Sequence, residues 1–230
     1  MTSGVVTRWA ARVRIRTVSD SLHGDLVLGV IGPEPEGAAP IETEDLEGLI
    51  PEFVATRADL NQVEYENIAN ALPWAMRQVR LRGAPRLFDY AFVFELHRHM
   101  FGDVWTWAGS QRRRETNIGV APPQIPTALR QALDDARFWH DHDVHTVDHR
   151  AARIHHRLVV VHPFPNGNGR CTRLIADLYL QSVGSPPFSW ATGRLDGGAV
   201  AQQDVRRAYI AALEAAPADD CDALVTFARS

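Results

Sequence analysis

The chain has 230 residues, of which 45% are hydrophobic and 23% are charged, and a formal net charge of −4 at pH 7. This length and composition are typical of one globular unit with a well-buried core, and the negative balance argues against a general nucleic-acid binder. Two cysteines, Cys171 and Cys221, are too few for a disulfide framework, so we expect a reducing, cytoplasmic setting. No apolar run reaches the roughly 18 residues of a membrane span, so no membrane partner is expected.

In chain order, the predicted elements are mainly helices. Residues 1–34 show no helical period and end in a Gly- and Pro-rich break, which predicts an N-terminal extension whose structure the sequence leaves open. Thr56, with Asp59 three positions on, indicates the start of a helix around residues 56–72, which would run on through Trp74 with Pro73 as a problem inside it. Apolar residues at helical spacing predict further helices over residues 87–100, 125–139, 148–161, 204–216 and 223–228.

A short segment between the second and third helices breaks this helical pattern. Arg112, Arg113 and Arg114 open it, and we interpret them as a solvated edge, with contact to nucleic acid or to an acidic target as the alternative. The following residues predict a small hairpin or flap, closed by two prolines: Thr116, Asn117, Ile118, Gly119 and Val120. The predicted fold class is therefore all-α, a helical bundle with a short β-hairpin flap.

The most informative stretch is residues 162–173, HPFPNGNGRCTR, a tight loop between two largely buried helices. Backbone N–H groups at the start of the second helix, together with its dipole, favour an anion. His162 beside such a site can take a proton as a general base. The loop therefore predicts a phosphate site, in which glycines allow close approach and arginines fork onto oxygens: Gly167, Asn168, Gly169, Arg170 and Arg173.

This loop resembles the signature of Fic domains, HxFx(D/E)GNGRxxR, and departs from it only at Asn166, where that family has an acidic residue. The resemblance covers residues 35–230. It implies a Fic-type protein adenylyltransferase, which transfers AMP from ATP to a Ser, Thr or Tyr hydroxyl of a target protein, with Mg²⁺ on the phosphates. By the same resemblance His162 and Arg170 would be catalytic, and the flap would hold the target segment as an added strand.

Asn166 is the position that bears on metal binding, on the subfamily and on the alternative activities. It stands where the family has a metal ligand, and an amide lacks the charge that Mg²⁺ prefers, so metal binding would be weakened. The mobile mystery protein B subfamily also carries an asparagine here, and resemblance to it implies a helix-turn-helix partner protein. Three alternatives stay open: a phosphotransferase, a de-AMPylase on the same fold, or a catalytically inactive nucleotide-binding or interaction protein.

The resemblance also suggests autoinhibition. Many Fic proteins carry a helix with the pattern (S/T)xxxE(G/N), whose glutamate pairs with the second arginine of the loop. In the helix at residues 56–72, Glu66 and Asn67 fit the last two positions, whereas Gln62 stands where Ser or Thr is expected. The implied inhibitory contact is Glu66 with Arg173, and the alternative is a solvated helix glutamate.

Overall fold

The computed structural model describes residues 48–54, 56–192, 198–216 and 220–230, so the extension over residues 1–34 lies outside the described residues, and the division at residue 35 stays a prediction. Two short 3₁₀ helices, Ala84–Phe88 and Pro122–Gln124, connect longer elements. In the described part of the chain the α-helices are α1 (Arg57–Arg82), α2 (Tyr90–Phe101), α3 (Ile125–Asp141), α4 (Val147–Val161), α5 (Asn168–Ser182), α6 (Gly198–Glu214) and α7 (Asp222–Arg229). The all-α prediction is confirmed.

Helix α1 starts where its caps predict but continues past Pro73. The Thr56 side chain accepts a hydrogen bond from the backbone N of Asp59 at 3.1 Å, and Asp59 accepts one from the backbone N of Thr56 at 2.8 Å, which closes a capping box. Proline removes one helical hydrogen bond. Tertiary packing outweighs that loss, because Trp74 stacks on His99 with ring centroids 3.8 Å apart.

Helices α4 and α5 carry the signature loop between them. Helix α5 buries residues on nearly every side, so it is held in the middle of the bundle rather than at its surface. Helix α2 packs against the same loop through Phe94 and His97, whose rings lie 5.3 and 3.7 Å from that of Phe164. The loop therefore stands on a rigid base of three helices. Among the described residues, no helix combines the length and apolarity needed to cross a bilayer.

The flap is not a β-hairpin, so that part of the prediction is wrong. Residues 110–121 are described without any strand, and within the described residues the isolated bridge joins Leu49 to Trp105 elsewhere. The physical reason is that the buried Arg112 side chain supplies hydrogen-bond donors that a partner strand would otherwise supply. The flap is an irregular segment organised by a side chain.

Candidate active site

His162 ends α4 in the left-handed conformation, with φ 53°. Its Nδ1 lies 3.3 Å from the carbonyl oxygen of Val159, which can only accept, so Nδ1 carries the proton and Nε2 keeps its lone pair. The pKa of His162 is lowered to about 4, mainly by burial; the bond to the Val159 carbonyl opposes this shift, and the positive charge of Arg112 adds to it. The imidazole is therefore neutral at pH 7, as a general base must be.

The loop after His162 is braced by Asn168. Its side-chain oxygen accepts from the backbone N of Phe164 at 2.9 Å, and its amide nitrogen donates to the carbonyl of Phe164 at 2.8 Å. Gly167 precedes the helix with φ 75°, a conformation that favours glycine. Helix α5 then begins, and the first N–H groups of a helix have no intrahelical acceptor. This geometry suits an anion at the helix start.

His97 of α2 contacts the backbone and the Phe164 ring of the loop. The backbone N–H of Gly109 donates to its Nδ1 at 3.0 Å, which leaves the proton on Nε2, and Nε2 donates to the Asn166 carbonyl at 3.0 Å. Burial is the main reason that the pKa of His97 falls to about 3. The ring is fully buried and stacks on Phe164. A neutral histidine with one fixed tautomer thus holds the loop backbone.

Arg173 lies beside the start of α5. A Cβ placed on Gly169 would lie 3.5 Å from an Arg173 guanidinium nitrogen, so that group borders the first turn of the helix. The guanidinium also stands 5.7 Å from the ring centre of Tyr209, whose hydroxyl lies 2.9 Å from Nε2 of His155. This half-buried arginine is placed to meet an anion at the helix start.

Arg170 is held away from solvent by α1. Its guanidinium donates to a Glu64 carboxylate oxygen at 2.7 Å, and both side chains are almost wholly buried, at 6% and 4% exposure. The other oxygen of Glu64 accepts from the indole N–H of Trp105 at 2.6 Å, and the guanidinium packs 4.8 Å from the centre of the Phe101 ring. In this structure the first loop arginine is thus occupied by a carboxylate.

Glu66, the predicted inhibitory residue, bonds a neighbour on its own helix in this structure. Its carboxylate accepts from the side-chain amide of Gln62 at 2.8 Å, on a part-exposed face of α1. Residues two apart on a helix point about 200° from each other, so Glu64 and Glu66 face different directions. The glutamate of α1 that bonds a loop arginine in this structure is Glu64, and its partner is Arg170; the contact of Glu66 with Arg173 stays a prediction.

The residues present do not form a resident magnesium site. The side-chain oxygen of Asn166 already accepts the backbone N–H of Gly167 at 2.6 Å. Within the part of the chain that the structure describes, there is no group of three or more His, Cys, Asp or Glu side chains that could hold a metal ion. One neutral amide oxygen cannot satisfy an ion that requires about six oxygens.

The flap passes directly over His162. A Cβ on Gly119 would lie 2.7 Å from the Cβ of His162, so only glycine, here with φ 120°, fits this crossing. The N–H of Val120 bonds the carbonyl of Val161 at 3.4 Å. The Thr116 hydroxyl donates to the carbonyl of Ile118, and the Asn117 and Ile118 side chains are exposed. The structure therefore brings the predicted flap and the predicted base together.

The sequence interpretation missed the supporting roles of Glu64, His97 and Arg112. Glu64 falls in a stripe of buried α1 positions at residues 60, 64, 68 and 72, and His97 falls in one at residues 93, 97 and 101 of α2. A polar residue in an apolar stripe signals a buried partner. Arg112 carries no such signal, because its exposed neighbours Arg113 and Arg114 make it look like part of a solvated run.

Comparison with known proteins finds similarity over part of the chain. A model of the Fic/DOC family matches residues 87–180. Protein adenylyltransferase fic-1 of Caenorhabditis elegans is 36% identical over 99 residues, which are 41% of this chain and 20% of that protein. Protein adenylyltransferase Fic of Drosophila virilis is 35% identical over 100 residues, with the same coverage of both chains. The chain thus spans about a fifth of the length of the curated relatives it matches.

Solved structures agree on the fold. A Fic family protein from Desulfovibrio desulfuricans aligns over 97% of this chain and 68% of its own, with 15% identity and a TM-score of 0.56. An N-terminal Fic domain from Bartonella quintana, solved with bound ADP, aligns over 77% of this chain and 86% of its own, with 17% identity and a TM-score of 0.56. The segment that the Fic/DOC family model matches, residues 87–180, contains the loop between α4 and α5.

Proposed function

We propose that the chain is a protein adenylyltransferase, which transfers AMP from ATP to a hydroxyl side chain of a target protein. One observation carries this proposal most: a neutral His162, with Nε2 unprotonated, adjoins a glycine-rich loop that opens a buried helix. Relatives named protein adenylyltransferases are 36% and 35% identical to this chain over about 100 residues, and the Fic/DOC family model matches residues 87–180, which hold this loop. The ADP bound in the Bartonella quintana domain supports a nucleotide as the ligand.

The proposed reaction is a displacement at the α-phosphorus. The target hydroxyl oxygen attacks this atom while Nε2 of His162 accepts the hydroxyl proton. A new bond joins the hydroxyl oxygen to the α-phosphorus, the bond from that phosphorus to the bridging oxygen breaks, and pyrophosphate leaves. The N–H groups at the start of α5 and the guanidinium of Arg173 stabilise the charge on the phosphate oxygens. Arg170 would join them once Glu64 releases it.

Magnesium would enter as part of the substrate. ATP arrives as its magnesium complex, so the phosphates supply most ligands of the ion. The side-chain oxygen of Asn166 accepts the N–H of Gly167. An amide oxygen has two lone pairs, so this oxygen would also contribute one neutral ligand to the ion. This explains how an asparagine can stand in a loop that handles nucleotide phosphates.

The flap would dock the target. Asn117 and Ile118 are exposed on the segment that crosses His162, and Ile118 exposes 56% of its surface. An extended target segment laid along this backbone would place a hydroxyl near Nε2. The target is therefore proposed to present a Ser, Thr or Tyr in an extended segment.

Autoinhibition is part of the proposal, with Glu64 as the locking residue. The buried carboxylate of Glu64 occupies Arg170, one of the two arginines that would grip phosphate. Release of α1 from the loop would free the guanidinium. The pair bridges 106 positions of sequence, so it couples the position of α1 directly to the loop.

We also propose membership of the mobile mystery protein B subfamily, because the loop reads HPFPNGNGR with Asn166 in the acidic position. A helix-turn-helix protein is the partner which that resemblance implies. The free thiols of Cys171 and Cys221 support a reducing, cytoplasmic setting.

The test uses ATP labelled at the α- or the γ-phosphate, incubated with the purified chain and a cell lysate. We expect label on protein from α-labelled ATP, none from γ-labelled ATP, and loss of transfer in His162→Ala. Label from the γ-phosphate would identify a kinase instead.

The burial of Arg170 favours one second candidate, a nucleotide-binding protein without catalytic activity. With its arginine paired to Glu64, the loop could hold a nucleotide through α5 and Arg173 alone. ATP binding without transfer from either labelled nucleotide, in wild type and in Glu64→Gln alike, would establish this reading and overturn the proposed enzyme.

A further inference from the structure

Arg112 lies at the junction of the flap and the signature loop, yet the reaction proposed above does not use it. It is 2% exposed, whereas Arg113 and Arg114 beside it are exposed. Its backbone N–H donates to the carbonyl of Pro163 at 2.9 Å, so the main chain of this residue is fastened to the loop as well.

The guanidinium of Arg112 bonds three backbone carbonyls. Nε donates to the His162 carbonyl at 2.6 Å, Nη1 donates to the Arg114 carbonyl at 2.7 Å, and Nη2 donates to the Val120 carbonyl. The Val120 carbonyl belongs to the flap, the Arg114 carbonyl to the residues that lead into it, and the His162 carbonyl to the candidate base. A planar fork of donors can hold three such acceptors in one fixed geometry, which a lysine ammonium cannot reproduce.

We propose that Arg112 is a positioning residue that fixes the base His162 and the target-docking flap in one frame. It acts through the backbone of His162 and touches neither nucleotide nor target. The inference rests on the proposed function, since the frame matters only if a target hydroxyl must meet Nε2.

Gly119 supports this assignment independently. A Cβ at this residue would lie 2.6 Å from Nη2 of Arg112 and 2.7 Å from the Cβ of His162. The flap thus closes onto the guanidinium and the histidine at one point, with no room for a side chain. The N–H of Val120 completes the junction by bonding the Val161 carbonyl at 3.4 Å.

The acceptors explain why an arginine is buried here without a carboxylate among these bonds. Burial lowers the pKa of Arg112, and nearby Glu115 opposes that effect. Carbonyl oxygens compensate the lost hydration of the cation without neutralising it. The retained charge acts on His162, because it disfavours the imidazolium form.

The experiment compares Arg112→Lys with Arg113→Lys, which makes the same exchange at an exposed neighbour. Arg112→Lys keeps the charge but loses the fork, so we expect kcat for AMP transfer to fall about 100-fold, as a misplacement of about 1 Å does. The Kd for ATP should change less than about twofold, because no phosphate contact is removed. Arg113→Lys should match wild type in both.

A second measurement does not depend on activity. Hydrogen exchange of the backbone amides at residues 113–120 should accelerate in Arg112→Lys and stay unchanged in Arg113→Lys, because only the former loses the carbonyl bonds. If neither the wild type nor Glu64→Gln transfers AMP, the proposed function fails, and the exchange result still decides whether Arg112 fixes the flap.

Gly119→Ala keeps the test decisive if Arg112→Lys fails to fold. This variant leaves the core intact and pushes the flap away from the guanidinium, so it should lower kcat with little change in the Kd for ATP. Wild-type kcat and wild-type flap exchange in Arg112→Lys, or in Gly119→Ala when the first variant does not fold, would overturn the inference.

Discussion

The position of one proton decides what His162 can do. The Val159 carbonyl holds the proton on Nδ1, and burial disfavours a second proton on the ring. The lone pair of Nε2 is therefore available over the whole neutral range. A base with a lowered pKa is a weaker base, so the site must rely on the charged environment at the start of α5 to stabilise the reacting phosphate.

We predict that His162 titrates with a pKa of about 4 in the folded chain, well below 6.5, because burial penalises the imidazolium. Its ring signal, assigned by comparison with His162→Ala, can be followed by NMR from pH 8 to pH 4.5. The signal should stay close to its neutral position through most of this range. A midpoint near pH 6.5 would show that the ring is solvated and that its basicity is not tuned by the fold.

Asn166→Asp tests the role of the substrate's metal ion. A carboxylate adds a charge beside Mg²⁺ and can still accept the N–H of Gly167. We expect the magnesium concentration for half-maximal AMP transfer to fall on the order of tenfold, which one added ligand charge can supply. An unchanged magnesium requirement would mean that residue 166 does not face the ion.

At the scale of whole elements, α1 has a structural role and also carries the proposed regulatory contact. It runs from Arg57 to Arg82 through Pro73, and it delivers Glu64 to the loop that opens α5. The ion pair between Glu64 and Arg170 is buried, so its net contribution to stability is small, although removal of one partner is costly. Its position at the loop is the reason to assign it a regulatory role.

Glu64→Gln should free Arg170 and should strengthen ATP binding, because a neutral amide holds a guanidinium less tightly than a carboxylate does. The free energy of unfolding should fall by about 3 kcal/mol, the usual cost of breaking a buried pair. Calorimetry with ATP and urea unfolding measure the two effects.

Glu66→Gln is the matched control, since Glu66 bonds the side chain of Gln62 on a part-exposed face. It should leave both the Kd for ATP and the stability near the wild-type values. Tighter ATP binding in Glu66→Gln, without a change in Glu64→Gln, would restore the inhibitory contact that the sequence pattern implied.

The helical elements were largely predictable because their signals are local. Apolar spacing located α2, α3, α4 and α7 to within a few residues and α6 except at its start, and the Thr56 cap located the start of α1. The end of α1 was missed because Pro73 argues for a break, and the compensating stack of Trp74 on His99 connects two different helices. The flap was misjudged for a similar reason, since the Arg112 side chain replaces a second strand.

Over the whole molecule, the part of the candidate site that is continuous in sequence was predictable. The part that is formed by residues distant in sequence was not. The order of residues 162–173 is enough to predict the loop. The bonds from Arg112 to His162 and from Glu64 to Arg170 span 50 and 106 positions. Only the packing of α1, the flap and α5 brings these partners together. A single sequence therefore shows that an arginine is present but not which carboxylate or carbonyl it meets.

Stability against acid is a property of the whole fold, and His97 tests it. Its pKa falls from 6.5 to about 3 on folding, so the unfolded chain binds more protons between these values, and stability is lost as pH falls through 6.5. Between pH 7 and pH 5 the titration of this histidine should lower the free energy of unfolding by about 2 kcal/mol. Asp177, whose pKa burial raises to about 7, acts in the opposite sense over the same range.

The contribution of His97 can be isolated by comparing the pH dependence of stability in wild type and in His97→Gln. Urea unfolding at pH 7 and pH 5 should show a stability loss about 2 kcal/mol smaller in His97→Gln than in wild type, because glutamine does not titrate. Any loss common to both pH values reflects the missing bonds to Gly109 and Asn166. An identical pH dependence in both proteins would show that His97 is not held neutral by burial.

The proposed function requires that the loop between α4 and α5 transfers AMP with His162 as its base. The most direct measurement is mass spectrometry of lysate proteins incubated with ATP and Glu64→Gln, in parallel with the double variant Glu64→Gln, His162→Ala. We predict AMP adducts on Ser, Thr or Tyr side chains with the first protein, and none with the second, although both bind ATP. Equal adducts with both proteins, or phosphate adducts in place of AMP, would contradict it.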